Sequence, residues 1–293
     1  MQSMIETKFQ STIDPEMRSI VDTDARRDVR LSLATVPILC YHAVADSVSG
    51  PDGKFAVSPE LLRAHLDLLV ERGYTGISVH DLALARMGLG SLPERPVAVT
   101  FDDGFADVLH EAAPLVSERG FAATAFVTTD GITDRAENDS NRKLTWSEIV
   151  ELDHCGIEVA AHGHRHIEMD CAPWSAIERE IVLPKKLLED QLGHRIATFA
   201  YPYGYSTPEV RERLAEAGYL GACGVKHALS TANDDLLDMA RLRLLGTTSA
   251  AKLERWLEGD GVRMAPCGER MITRVWRIRR RLGYAVSGRR RTQ

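Results

Sequence analysis

The chain has 293 residues, 44% hydrophobic and 27% charged, which is ordinary for a globular protein with a sizeable core and excludes a disordered, fibrous or disulfide-scaffold chain. Formal net charge is −6, but residues 269–293 carry nine Arg and one Glu, a local +8 that leaves −14 on the rest, and so acidic a body excludes nucleic acid as the partner of the domain itself. Five scattered cysteines (Cys40, Cys155, Cys171, Cys223, Cys267) without a CxxC pair predict free thiols, and the lack of a signal-like run or of about 20 consecutive apolar residues predicts a cytoplasmic protein.

Residues 1–35 are polar and weakly periodic and read as an extension outside the core. From Val36 short apolar runs alternate with amphipathic stretches. VPILCYHAV (36–44) reads as a buried strand, and SPELLRAHLDLLVERG (58–73) as a helix capped by Ser58, with Pro59 in its first turn. Leu62, His65, Leu66, Leu69 and Val70 are expected on its inner face. PVAVTF (96–101) predicts a second strand, and DVLHEAAPLVSERG a helix interrupted by Pro114. AATAFVTT (122–129) is a third strand, followed by the polar loop DGITDRAENDSNRK and a helix over 145–156. IEVAA (157–161) is a fourth strand, 174–193 a helix despite Pro184, and IATFAYP (196–202) a fifth strand. A helix over 206–219 and a strand candidate at 240–246 complete the series. Repeated strand–helix units of this length imply parallel strands with helices outside, in an open sheet or a barrel. In such folds the chemistry sits at the C-terminal strand ends, and the polar clusters all fall there.

TFDDG (100–104) places two carboxylates after a buried strand, where ionised groups need partners or a cation. In an extended backbone Asp102 and Asp103 would point in opposite directions, one toward a metal and one left free as a base. Either could instead cap the following helix. In AAHGHRHIEM (160–169), His162 and His166 stand four apart and can meet one ion if the segment coils after its strand. Two imidazoles and one carboxylate leave a divalent ion with open positions, which suits water activation rather than a closed structural site. FAYPYGYS (199–206) predicts a rigid turn able to present a backbone N–H, with tyrosines as sugar-stacking surfaces, or simply a structural turn. His42 in CYHAV is a candidate general acid or a core histidine.

These segments, in this order, resemble the NodB-type polysaccharide deacetylases, carbohydrate esterase family 4. TFDDG matches the family's first motif, HGHRH its H-[ST]-x-x-H motif with Gly163 in the Ser/Thr position, and YPYG its third. CYHAV, SPELLRAHLDLLVERGY and LPERPVAVTFDDG are further similar to the poly-N-acetylglucosamine deacetylase branch. The resemblance covers about residues 36–245 and implies a distorted (β/α)7 barrel, with a deacetylase domain over 36–250 and a helical, Arg-rich extension over 251–293. It implies Asp102 as general base, Asp103, His162 and His166 as metal ligands, the Tyr203 backbone N–H as oxyanion donor and His42 as acid. Ala200 stands where many members place an Arg that positions the base, the late L-x-H motif is absent, and Arg241 resembles a late Arg able to replace the missing one. The cofactor implied is a divalent ion, zinc first, with cobalt, nickel or iron also suited to the ligand set.

The function implied is metal-dependent removal of acetyl groups from N-acetylated sugars of an oligo- or polysaccharide. Its rivals are an O-acetyl esterase or other amide hydrolase on the same site, and a non-catalytic glycan-binding barrel. In the tail, Met271, Ile272, Val275, Trp276 and Ile278 interleave with Arg. That pattern predicts either a basic amphipathic helix on an anionic membrane or a helix packed on the barrel with solvated arginines.

Overall fold

The computed structural model describes residues 35–46, 51–134, 142–268 and 275–280. Residues 1–34, part of the polar loop after 134, and Met271 and Ile272 of the tail lie outside the described residues.

The strands are β1 (Thr35–Val36), β2 (Ile38–Tyr41), β3 (Thr75–Ile77), β4 (Pro96–Phe101), β5 (Ala123–Val127) and β6 (Ile157–Ala161). They continue with β7 (Thr198–Ala200), β8 (Gly221–Cys223), β9 (Ala228–Thr231), β10 (Leu242–Arg243) and β11 (Arg263–Met264). The main sheet runs β10-β2-β4-β5-β6-β7-β8, with β3 added to the start of β4, and every pairing in it is parallel. Its two edges approach each other where Met239 bridges to Cys223 and the Arg241 Nε donates to the Gly224 carbonyl at 3.0 Å. The sheet is thus a curled, incompletely closed (β/α) barrel. A small sheet of β1, β9 and β11 adjoins it, with β1 antiparallel to β9.

The helices are α1 (Pro59–Glu71), α2 (Val79–Arg86), α3 (Ala113–Ser117), α4 (Trp146–His154), α5 (Trp174–Leu192), α6 (Pro208–Glu216) and α7 (Ala250–Leu257). Ser58 caps α1 by accepting from the Leu61 N–H at 3.2 Å, a bond of the kind that stabilises a helix start by about 1 kcal/mol. Leu62, His65, Leu66 and Leu69 are buried as expected, but Val70 is 48% exposed and Leu68 takes its place inside. At 100° per residue Leu68 and Val70 fall on opposite flanks of the 62–65–66–69 stripe, and the Leu68 flank is the one the core covers. Before Pro114 the chain winds one π-helical turn over Val108–Ala112, because proline supplies no N–H to a regular ladder. Leu253 and Trp256 of α7 are buried in the main core.

Both faces of the parallel sheet are buried, which is why its strands are apolar throughout rather than alternating. Leu39, Tyr41, Val97, Val99, Phe101, Val159 and Phe199 pack toward the helices. Ile38, Ala98, Phe126, Ala160 and Ala200 fill the opposite face, inside the curl. Because side chains alternate along a strand, each strand delivers its next in-phase residue to the barrel mouth. His42 continues the phase of Ile38 and Cys40, Asp102 that of Ala98 and Thr100, and His162 that of Ala160. All five cysteines are free. No helix among the described residues is long and apolar enough to cross a membrane.

Candidate active site and metal centre

The C-terminal ends of β4 and β6 bring Asp102, Asp103, His162 and His166 together. The His162 Nδ1–H donates to the Ala200 carbonyl at 2.8 Å, which fixes the tautomer and turns Nε2 toward the carboxylates. That Nε2 lies 3.5 Å from Asp103 Oδ1, and the His166 Nε2 lies 3.4 Å from the same oxygen. Asp103, out of phase with its strand, is returned to the site by a left-handed backbone, φ 75°. The expectation that the paired aspartates diverge is therefore corrected: both carboxylates face one pocket, with Asp102 Oδ2 3.9 Å from the His162 Nε2. His166 also has positive φ, 54°, and packs against the Tyr203 ring at 4.5 Å.

One oxygen of Asp103 and one nitrogen from each histidine lie within 4.8 Å of one another, with Nε2 of His162 already released by its carbonyl bond. Such a mixed N/O donor set fits a divalent ion of the zinc type. Cys40, His42 and Asp102 also offer donor atoms within 4.8 Å of one another. The Arg241 guanidinium already balances that carboxylate and burial pushes the Cys40 thiol pKa up, so this trio does not suit a second cation.

Arg241, fully buried, forms a two-pronged ion pair with Asp102: Nη1 to Oδ1 and Nη2 to Oδ2, both 2.7 Å. Burial pushes the Asp102 pKa up, but the charges of Arg241 and His162 overcome it and bring it down to about 2. Burial also opposes ionisation of Asp103, yet the hydrogen bond and charge of His162 hold its carboxyl well below the usual range. Burial disfavours the His162 cation, and the two aspartates more than compensate, raising its pKa. Burial and the neighbouring His162 charge lower His166 to about 4. His42 is lowered chiefly by burial, against the pull of Asp102 and Asp103; its Nδ1 is buried without a hydrogen-bond partner among the described residues. Tyr203 occupies the turn after β7 with φ 59° and is 53% exposed, beside Tyr205 at 6.1 Å.

Two residues escaped a reading of motif clusters. Glu180 of α5 accepts backbone N–H bonds from His164 and Arg165 and is 1% exposed; it lies 14 residues after His166 in an amphipathic helix and looks like any surface glutamate in the sequence. Asp170, with its side chain fully buried, pairs with Arg277 and Arg280 at 2.8 Å each. Its signal in the sequence was the Arg-rich tail, which reads there either as membrane-facing or as packed on the barrel with solvated arginines, and in neither case as the partner of a buried acid.

A parallel barrel whose strand ends converge on a carboxylate–imidazole centre beside a second, arginine-held carboxylate is an arrangement suited to hydrolysis. A sequence profile described as polysaccharide deacetylase matches residues 90–222. A putative polysaccharide deacetylase of Bacillus subtilis, YxkH, is 23% identical over 225 residues, 77% of either chain. A poly-β-1,6-N-acetyl-D-glucosamine N-deacetylase of Escherichia coli is 25% identical over 219 residues, 62% of this chain, which spans about a third (32%) of that protein's length. Among solved structures, the Streptococcus pyogenes deacetylase PplD in complex with acetate superposes with a TM-score of 0.66 at 25% identity, covering 75% of this chain and 97% of that one. The stretch that matches the polysaccharide deacetylase profile includes Asp102, Asp103, His162 and His166, and the fold is shared with a solved deacetylase.

Proposed function

We propose that the domain is a metal-dependent N-deacetylase acting on an N-acetylated oligo- or polysaccharide. The observation that carries this reading is the meeting of Asp103, His162 and His166 around one point, with Asp102 held ionised at its edge by Arg241. Asp103, His162 and His166 would hold the ion, zinc first. When bound, it supplies Lewis acidity to an acetyl carbonyl and acidifies water. Asp102 takes the proton of the attacking water; the Arg241 fork fixes its orientation for that transfer. The Tyr203 backbone N–H, on a turn preset by Pro202, donates to the oxyanion that develops on the carbonyl. His42 gives a proton to the departing amine. Its burial makes the charged ring a ready donor, and the carboxylates beside it favour its loading.

Purified protein loaded with Zn²⁺ or Co²⁺ is expected to release acetate from N-acetylated glucosamine oligomers with one new amine per acetate, and EDTA to abolish release. Acetate without amine from an O-acetylated substrate would favour the esterase reading. Glycan binding with no acetate from any oligomer would leave only the binding barrel.

The tail supports a second partner. In the helical segment at 275–280, Arg277 and Arg280 turn inward to Asp170, while Val275, Trp276 and Ile278 stay half or more exposed. Apolar residues held outward among arginines support peripheral contact with an anionic lipid surface. The full chain is expected to sediment with vesicles containing phosphatidylglycerol, and Trp276→Ser/Ile278→Ser to weaken this; equal sedimentation with neutral vesicles, or none at all, would remove the proposal.

A further inference from the structure

The loop that carries the two histidines is held by a group with no part in the proposed chemistry. Residues 163–166 leave β6 with positive φ at Gly163 (76°) and at His166 (54°). A left-handed histidine is strained and persists only where its surroundings over-determine it. One strap lies on the β5 side, where the Asp130 N–H donates to the His164 carbonyl at 2.8 Å and the Thr129 hydroxyl meets the His164 Nδ1 at 3.0 Å. The other is Glu180. Its carboxylate accepts from the His164 N–H at 2.9 Å and from the Arg165 N–H at 2.9 and 3.0 Å. It is 1% exposed, and no Lys or Arg pairs with it among the described residues, so these amides are its recorded partners.

Gly163 belongs to the same arrangement. A Cβ there would lie 2.6 Å from Glu180 Oε2 and 3.2 Å from the Pro202 ring. The carboxylate thus fills the space that a side chain at 163 would take, and the two positions are coupled.

We propose that Glu180 is a positioning residue: it clamps the amides of the 163–166 loop and so sets His162 and His166 at the spacing a shared ion needs. The inference rests on the reading of Asp103, His162 and His166 as ligands. It separates two roles that α5 would otherwise merge, support of the fold and preorganisation of the donor set. Partners that orient metal ligands in this way are typically worth about 10–100-fold in affinity.

The test is Zn²⁺ affinity of the full chain, read by competition with a chromophoric chelator, beside the melting temperature of the ion-free protein. Glu180→Gln, which keeps the volume but removes the charge and leaves one of the two acceptor positions to an N–H₂ facing the Arg165 N–H, is expected to weaken Zn²⁺ about 10–100-fold at a temperature where it is fully folded. Gly163→Ser alone is expected to weaken it too, through the clash. In the Glu180→Ala background Gly163→Ser is expected to do less harm, or to recover affinity, because the freed space admits the side chain and its hydroxyl can accept from the loop.

Wild-type Zn²⁺ affinity in Glu180→Gln, whatever its melting temperature, would overturn the proposal. So would strict multiplication of the Gly163→Ser and Glu180→Ala effects. If Glu180→Ala does not fold, Glu180→Gln and Gly163→Ser still decide it. Failure of the wild type itself to bind Zn²⁺ would remove the ligand reading and the clamp together; wild-type binding with an unaffected Glu180→Gln would remove only the clamp.

Discussion

Replacing Arg241 by Met is expected to cost about 3–5 kcal/mol of folding stability, and adding Asp102→Asn to recover most of that loss without recovering turnover. The reason is burial. Arg241 has no exposed side-chain surface and Asp102 has 3%, so each depends on the other for its charge. Two further guanidinium donors meet the Thr100 hydroxyl at 3.1 Å and the Gly224 carbonyl at 3.0 Å. Removing either member strands a charge in a low-dielectric interior, whereas removing both leaves a neutral pair. Asp102→Asn alone is therefore expected to lower stability as well as kcat, the latter by about 10²–10⁴-fold if Asp102 is the general base. Urea unfolding of the four ion-free proteins and acetate release from the folded ones separate the two effects. Additive losses of stability in the double variant would show that the two side chains act independently. The pair also sets an acid limit. With its pKa depressed from 3.8 to about 2, Asp102 contributes stability that is intact above pH 3.8 and is lost as pH falls toward 2.

The strand–helix alternation and the placing of polar clusters at strand ends could be read from the sequence because period-2 phase is a local property. His42, Asp102 and His162 each sit an even number of residues from buried positions of their own strands, and the structure places all three at the barrel mouth. Asp103 could not be placed in this way. Its backbone leaves the strand region at that residue, and a single left-handed φ reverses the side chain. Arg241 lies 139 residues from the carboxylate it holds, so no local pattern links them. The replacement for the arginine absent at Ala200 was therefore visible only through resemblance. The small sheet was missed for another reason. Strands of two to four residues such as β1, β9 and β11 are too short to show a period, and non-local pairing alone defines them. Glu180 shows the same limit at the site: a buried glutamate and a solvated one are identical in sequence.

Truncation after residue 268 is expected to lower both the melting temperature and kcat, and Asp170→Asn in the truncated chain to restore much of the first. Asp170 stands four residues beyond His166, and its fully buried side chain is balanced by Arg277 and Arg280 of the tail. Without them a carboxylate is left buried and uncompensated, at a cost toward the low end of about 3–5 kcal/mol because both arginines retain some exposure. Asparagine keeps the shape and removes the charge, hence the recovery. The effect on turnover has a separate path. Arg280 also reaches Glu168 at 3.3 Å and lies over the Tyr205 ring at 3.8 Å, and Tyr205 stacks on Tyr203, whose ring touches His166. One tail residue thus braces both loops that shape the mouth, the one following β6 and the one following β7. Arg280→Ala should accordingly reduce kcat more than Arg277→Ala, although each removes one cation from Asp170. Equal losses of kcat would mean that only the charge on Asp170 matters. An unchanged melting temperature and rate after truncation would mean that the tail rests on the barrel without supporting its site.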